Sequence, residues 1–141
     1  MEDKFFKLEI VTPLKIIYQN QVKHIRLPGV DGYFGIMAGH APFITSLAIG
    51  EIKVDLESDT KYFATSRGIV EVLPHTTTVL VETAEDASQI DIERAIYAKE
   101  RSHRRVTEHV PGTDIDRAKD AWFRAVNRLK IARKIKAPES K

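Results

Sequence analysis

The sequence predicts a β + α protein in two parts: an N-terminal antiparallel β-sandwich over residues 1–86 and a C-terminal antiparallel two-helix hairpin over residues 87–141. Residues 1–86 hold short runs of alternating polar and apolar residues, whereas residues 87–141 carry apolar residues at helical spacing. The charge changes at the same point, from 8 basic and 12 acidic residues (net −4) to 14 basic and 8 acidic residues (net +6). Two compositional regimes indicate two structural units.

Seven β-strands are predicted in the first part, and polar or glycine-containing turns lie between several of them. They cover residues 6–10, 16–18, 23–27, 50–56, 61–65, 69–73 and 76–81. Many short strands with no helical stretch between them are typical of an antiparallel sandwich or barrel. The predicted inner faces consist of Leu8, Ile10, Ile25, Leu27, Ile52, Val54, Leu56, Val70, Val72, Val79 and Val81. The glycine-rich segment 29–35 is interpreted as turn geometry, because no lysine and no helix follow it as a phosphate-binding loop requires.

Two helices are predicted in the second part. Ser88, with Asp91 three places on, has the pattern of an N-cap and capping box, and this helix extends to about Val106. Thr113 and Asp116 repeat the pattern at the start of the second helix. The second helix has one apolar face, formed by Ile115, Ala118, Trp122, Ala125, Val126, Leu129 and Ala132. The first helix has only half such a face, so we expect the hairpin to be weakly docked.

Several classes of function are excluded or disfavoured by what the 141 residues lack. There is no cysteine, which excludes disulfides, thiolate metal sites and cysteine nucleophiles. There is no nucleotide-binding P-loop, HExxH, GxSxG or EF-hand motif, and the five histidines are scattered, so we predict no catalytic residue and no metal site. No apolar run is long enough to cross a bilayer or to act as an export signal, which predicts a cytoplasmic protein.

His40 is noticeable because it lies in a constrained segment, Gly39-His40-Ala41-Pro42. One interpretation is a loop histidine whose ring hydrogen-bonds a backbone carbonyl, and another is a contact to a partner subunit. A catalytic role would need a nucleophile or acid beside it, and the sequence nominates none.

Arginines are the most specific feature of the helical part. Arg124 and Arg128 are four residues apart and share a helix face, and Arg94 and Arg101, seven apart, share a face of the first helix. If the hairpin closes, the two pairs can converge on one anionic group, because guanidinium groups fit phosphate oxygens. Two alternatives remain at this point: ordinary solvated charge, and a patch for nucleic acid or an acidic partner, since residues 124–136 contain six basic residues and no acid.

Several short motifs follow one another in a specific order and spacing over about residues 8–105. They are Leu27-Pro28-Gly29, Gly32, Gly35-Ile36, Gly39-His40-Ala41-Pro42, Gly50, Gly68-Ile69-Val70-Glu71-Val72, Val79-Leu80, Ala84-Glu85 and Ile90-Asp91-Ile92-Glu93-Arg94-Ala95. Together they resemble the ε subunit of F-type ATP synthases. The resemblance implies a ten-stranded sandwich followed by a helical hairpin. It also implies a non-catalytic rotor subunit that couples proton-driven rotation to ATP synthesis.

The resemblance further implies the partners and the location. In that family the sandwich binds the γ subunit of the central stalk and the ring of membrane-embedded c subunits. The helices switch between a folded hairpin and an extended form that reaches the α/β catalytic head and blocks ATP hydrolysis. We therefore expect a peripheral protein on the cytoplasmic face of a bacterial plasma membrane, or on the stromal face of the thylakoid if the gene is plastid-encoded. Neither a nucleic acid partner nor a required cofactor is expected.

Certain bacterial members of the family bind ATP on the folded hairpin through a motif that is present here, so ATP is expected as a regulatory ligand. The positions that match are Glu85, Ile90, Asp91, Arg94, Ala95, Arg101, Arg124 and Arg128. The arginines are expected to face the phosphates and the other four to shape the base and ribose side. Contact to the membrane ring and γ is expected through Tyr33 and His40, although the family usually has an acidic residue where Tyr33 stands and a proline where Ala38 stands.

Two other classes of protein compete with this interpretation. A free-standing nucleic-acid-binding module would use the basic helices, but the sandwich is acidic and its aromatic residues are scattered rather than grouped as a stacking platform. An enzyme is disfavoured because no catalytic constellation is present.

Overall fold

The computed structural model describes residues 4–108 and 111–136, which form two compact units, one up to Asp86 and the other from Ala87 onward. The first unit contains ten strands in these residues: β1 (Phe6–Val11), β2 (Ile16–Val22), β3 (His24–Gly29), β4 (Gly32–Met37), β5 (Phe43–Leu47), β6 (Gly50–Asp55), β7 (Thr60–Thr65), β8 (Gly68–Val72), β9 (Thr76–Val81) and β10 (Ala84–Asp86). The second contains a short 3₁₀ turn (Ala87–Gln89) and two helices, α1 (Ile92–Thr107) and α2 (Ile115–Lys136). The predicted fold class, a ten-stranded sandwich followed by two helices, is confirmed.

The strands of the first unit form one hydrogen-bonded network in the order β10-β7-β6-β3-β5-β8-β9-β1-β2, with β4 paired to β3. All pairs are antiparallel except β1 with β9. β3 pairs with β6 through residues 24–26 and with β5 only at Gly29 and Leu47, so the network changes direction within β3. This change of direction lets the strands enclose one core.

The core of the first unit consists of large aliphatic and aromatic side chains that alternate along the strands with outward polar ones. Ten of the eleven predicted inward residues are fully buried, and Leu56 is partly buried against them. The core is completed by Phe6, Val22, Ile36, Leu47 and Phe63. Every member of this core lies before Ala87, so the sandwich has a hydrophobic core of its own.

Three strands were not predicted from periodicity: β4, β5 and β10. β4 has the sequence GYFGIM, in which apolar residues stand on both faces and glycines interrupt the run, so the alternating pattern is lost. β5 lies next to a glycine- and proline-containing loop, and β10 has only three residues. Gly68 at the start of β8 shows why a glycine belongs within a strand here, because a Cβ at this position would collide with the Leu80 carbonyl oxygen.

The two helix starts are each displaced from the predicted residue. The N-cap of α1 is Asp91, whose carboxylate accepts a hydrogen bond from the Arg94 amide at 3.1 Å, and the predicted cap Ser88 lies in the preceding 3₁₀ turn. Asp114, and not Thr113, accepts from the Arg117 amide at the start of α2, also at 3.1 Å. The reason is the same in both places, because aspartate caps as well as serine does and lies closer to the first apolar residue.

α1 and α2 pack against each other as a closed hairpin. The connection contains Gly112 with a φ of 81°, a left-handed conformation that suits glycine. Neither helix, over the residues described, is long and apolar enough to cross a membrane. The buried residues of the second unit are mostly small: Ala87, Ile90, Ala95, Ser102, Ala118, Ala125, Leu129, Ile131 and Ala132.

Candidate functional site

The register of the hairpin follows from one aromatic contact. The rings of His103 on α1 and Trp122 on α2 lie 5.4 Å apart, which places these two residues at about the same height along the pair. The short connection makes the helices antiparallel, and each residue rises about 1.5 Å along its axis. Arg101, two residues before His103, is therefore level with Arg124, two residues after Trp122.

Six of the eight arginines in α1 and α2 share one position. Each of the six stands immediately before a residue that is buried or half-buried in the hairpin, whereas Arg104 and Arg133 stand before exposed residues. The pairs are Arg94-Ala95, Arg101-Ser102, Arg105-Val106, Arg117-Ala118, Arg124-Ala125 and Arg128-Leu129. In two antiparallel right-handed helices, positions just before the buried residues lie on the same side of the pair, because both helices turn towards that side. We call these six arginines the arginine flank.

A cleft of about 680 Å³ opens on the arginine flank near the connection between the helices. Arg105 from α1 and Arg117 and Arg124 from α2 line it, together with the N-cap residue Asp114 and the buried Ser102. The Ser102 hydroxyl donates to the Ala98 carbonyl at 2.6 Å, so it is satisfied within its own helix. The cleft walls are thus mainly guanidinium groups and small side chains.

Four arginines of this flank take part in none of the ion pairs shown by the described residues. Across residues 4–108 and 111–136, the ion pairs that the structure shows do not include Arg101, Arg105, Arg117 or Arg124. Several guanidinium groups on one side of a hairpin repel one another unless an anion lies among them. A ligand with several phosphate oxygens suits the arrangement, since each guanidinium offers a fork of donors.

Of the predicted phosphate-facing arginines, all four lie on this flank, and Arg124 also lines the cleft. Arg105 and Arg117 were not among the arginines that the sequence analysis predicted for the anion site. Their shared position, one residue before an alanine or another inward residue, was a pattern that could have found them. Tyr97 was also not considered, and the Arg101 guanidinium carbon lies 5.7 Å from the centre of its ring.

The residues predicted for the base and ribose side have different environments. Ile90 and Ala95 are fully buried, and the Asp91 carboxylate accepts the capping hydrogen bond of α1. Glu85 belongs to the other unit, where it stands opposite Ala64 in the β7–β10 pair. In the conformation described, Asp91 is the exposed member of this group on the hairpin.

Tyr33, predicted to contact other subunits, is held by two neighbours on the sandwich. Its hydroxyl accepts a hydrogen bond from the Glu51 backbone amide at 3.1 Å, and the Arg26 guanidinium lies 5.0 Å from the centre of its ring. Arg26 in turn donates to the buried Glu51 carboxylate at 2.8 Å. Tyr33 is nevertheless 53% exposed, so a fixed aromatic ring is presented at the surface.

His40 adopts the first of the two predicted arrangements. Its Nδ1 donates to the Ala41 carbonyl at 2.9 Å, and its ring lies 5.1 Å from that of Phe43. A role in subunit contact remains a prediction. Within the described part of the chain, no group of three or more His, Asp or Glu residues is arranged to hold a metal ion.

Comparison with protein families gives matches over both units. Residues 5–87 match the family model described as ATP synthase, Delta/Epsilon chain, beta-sandwich domain. Residues 88–133 match the model described as ATP synthase, Delta/Epsilon chain, long alpha-helix domain.

Individual relatives are similar over most of the chain. An ATP synthase epsilon chain of Bacillus licheniformis is 40% identical over 130 residues, covering 92% of this chain and 99% of the relative. One from Koribacter versatilis is 45% identical over 106 residues, 75% of each chain.

Solved structures show the same fold at lower identity. A chain of the Euglena gracilis mitochondrial ATP synthase matches with a TM-score of 0.66 and 20% identity, over 96% of this chain and 81% of that one. A chain in the central stalk and c-ring structure of the Tetrahymena thermophila enzyme matches with a TM-score of 0.54 and 17% identity, over 95% and 97%. These comparisons confirm the predicted resemblance.

Proposed function

The chain belongs to the ATP synthase epsilon chain family, and on that premise we propose that it is a non-catalytic subunit of the rotor of a bacterial ATP synthase. The sandwich binds the γ subunit of the central stalk and rests on the ring of c subunits, so that proton-driven rotation is passed to the catalytic head. The protein is peripheral, on the cytoplasmic side of the membrane. The exposed ring of Tyr33 and the segment around His40 contribute to these contacts.

The hairpin is the regulatory part in this proposal. Its helices meet through alanine, serine and a few larger residues, so little apolar area is lost when they separate. In the separated form the basic helices are attracted by acidic surface of the catalytic subunits, where they obstruct ATP hydrolysis. A switching element requires a closed form that is only slightly more stable than the separated form.

The observation that carries the proposal is the arginine flank, which exists only when the hairpin is closed. Arg101 and Arg124 come from different helices and are level, so a triphosphate that contacts both holds the helices together. ATP that binds the closed form alone stabilises it by RT ln(1 + [ATP]/Kd). Abundant ATP therefore keeps the helices away from the catalytic head and relieves inhibition.

The test is calorimetric titration of the full chain with ATP, with and without Mg²⁺. We expect one-to-one binding that Arg124→Ala/Arg128→Ala weakens by more than about 100-fold, because each charge-assisted hydrogen bond contributes about 1.5–3 kcal/mol. The matched control is Arg104→Ala/Arg133→Ala, which removes the same charge from exposed positions outside the arginine flank. Equal losses of affinity in the two double variants would mean that net charge, and not the arginine flank, determines binding. If the unaltered chain does not bind ATP at millimolar concentration, the ATP-sensing part of the proposal is wrong.

The same variants separate sensing from inhibition in the assembled enzyme. ATP synthase complex reassembled with the unaltered chain is expected to hydrolyse ATP slowly at low ATP and faster as ATP rises. Complex containing Arg124→Ala/Arg128→Ala is expected to lose that ATP-dependent relief. If addition of the unaltered chain leaves hydrolysis unchanged at every ATP concentration, the inhibitory role is wrong.

A further inference from the structure

Tyr97 is an exposed aromatic side chain on the outer part of α1. Its side chain is 65% exposed, the largest exposure among the aromatic residues of the second unit that the structure describes. Tyr97 stands one turn before Arg101, whose guanidinium carbon lies 5.7 Å from the ring centre in a cation–π contact. The ring contributes nothing to the buried face of the hairpin, so packing does not account for it.

The position of Tyr97 relates it to the arginine flank. It lies six residues before His103 and is therefore level with Arg128, six residues after Trp122. Along the hairpin axis it is separated from the level of Arg101 and Arg124 by four residues, or about 6 Å. A ribose and its phosphates span such a distance, so one nucleotide can reach both the ring and the guanidinium groups.

The Tyr97 ring also supplies a flat surface for a base, which the other residues of the site lack. In the closed hairpin Ile90 and Ala95 are buried and the Asp91 carboxylate caps α1, so none of these three offers a flat surface to a base. Tyrosine rings and arginine planes are the surfaces on which nucleobases stack, and stacking tolerates different bases because every base has a π-face.

We propose that Tyr97 is the base-stacking residue of the anion site on the hairpin, so that the site selects a nucleoside triphosphate over bare polyphosphate. The inference rests on the proposed function, since it assigns the ligand class of the same site. On binding, the Arg101 guanidinium turns towards the phosphates and the base takes the face of the ring. Phosphate contacts supply most of the attraction, and Tyr97 supplies the discrimination.

The experiment is calorimetric titration of the full chain with ATP, GTP, CTP and inorganic tripolyphosphate at one salt concentration. Tyr97→Leu keeps helix propensity and removes the ring, and Tyr97→Phe keeps the ring. We expect Tyr97→Leu to weaken ATP binding roughly tenfold, as loss of one stacking contact does, and to leave tripolyphosphate affinity unchanged. Tyr97→Phe is expected to stay within about twofold of the unaltered chain for every ligand, because ring stacking is retained.

Phe123→Leu is the matched control, because it removes another exposed aromatic residue, 48% exposed, from the hairpin outside the arginine flank. Phe123→Leu is expected to change neither the affinity for ATP nor the affinity for tripolyphosphate. The inference is overturned if Tyr97→Leu binds ATP as the unaltered chain does, or if it weakens ATP and tripolyphosphate equally. Those results leave the proposed function standing. Failure of the unaltered chain to bind ATP overturns both.

Discussion

The sandwich and the hairpin differ in what their buried faces are made of. The sandwich encloses fifteen large aliphatic or aromatic side chains, among them Phe6 and Phe63. The described residues of the hairpin unit bury five alanines and a serine, with only Ile90, Leu129 and Ile131 as large side chains. Burial of a full-sized apolar side chain contributes about 1.5–3 kcal/mol, and burial of alanine much less.

The difference shows how one chain can combine a unit packed through large side chains with a unit packed mostly through small ones. Large side chains at each inward position give the sandwich a single packed state. Small residues let α1 and α2 approach closely while little free energy is lost when they separate, and the arginine flank adds repulsion to the closed form. We therefore expect the hairpin to open at a lower free-energy cost than the unfolding of the sandwich.

The largest expected effects come from truncating one buried side chain in each unit. Ile25→Ala, in a strand paired on both sides, should lower the free energy of unfolding of the sandwich by about 2–5 kcal/mol. Leu129→Ala should lower the urea midpoint of the hairpin and leave that of the sandwich unchanged, because the sandwich core contains no hairpin residue. Fluorescence of Trp122, the only tryptophan, follows the hairpin, and hydrogen exchange of the strand amides follows the sandwich.

In the unaltered chain the two probes should report separate transitions, with the hairpin unfolding at the lower urea concentration. Lys119→Ala, on the exposed part of α2, is the control for Leu129→Ala. A single coincident transition in all variants would contradict the comparison, because the two units would then be one cooperative structure.

Prediction from the sequence succeeded where one face of an element is buried. The strands around Leu8, Ile25 and Val79 alternate strictly, and their inward residues were identified correctly. β4 could not be found by this rule because apolar residues such as Phe34 and Met37 point in both directions along it. The helix caps were missed because two capping residues stand near each helix start, and local sequence does not decide between them.

The sequence analysis proposed an anion site formed by four arginines, and the structure places Tyr97 beside one of them. Spacing alone placed Arg124 with Arg128, since four residues bring two side chains to one face. Arg117 could have been found from its position before Ala118. The place of Tyr97 beside the arginines of α2 depends on how the two helices are aligned, which the contact between His103 and Trp122 indicates. Such a contact joins residues distant in sequence and has no local pattern.

A smaller effect tests the corrected start of α1. Asp91→Ala removes the carboxylate that accepts from the Arg94 amide, and should lower the stability of the hairpin by about 1 kcal/mol. Asp91→Asn should stay within a few tenths of a kcal/mol, because asparagine caps equally well. Urea titration followed by Trp122 fluorescence measures both. A larger loss for Ser88→Ala than for Asp91→Ala would restore Ser88 as the principal cap.

The smallest effect concerns β10, the last strand of the sandwich, which an ion pair links to β7. Lys61 on β7 lies 2.9 Å from the Asp86 carboxylate on β10, and this hydrogen bond raises the pKa of Lys61 above its ordinary value of 10.5. A raised pKa means that the contribution is complete below pH 10.5 and is lost as the pH rises through the higher folded value.

Both side chains are partly exposed, so the contribution to stability is less than about 1 kcal/mol. The measurement is the difference in urea midpoint of the sandwich between the unaltered chain and Lys61→Met, from neutral pH upward. The difference should be constant up to the pH at which Lys61 begins to lose its proton, and it should then vanish. A difference that persists at the highest pH would mean that Lys61→Met lowers stability through lost packing and not through the lost ion pair. Since Asp86 is the last residue of the first unit and the charge of the chain changes sign after it, this pair attaches the end of the sandwich to β7.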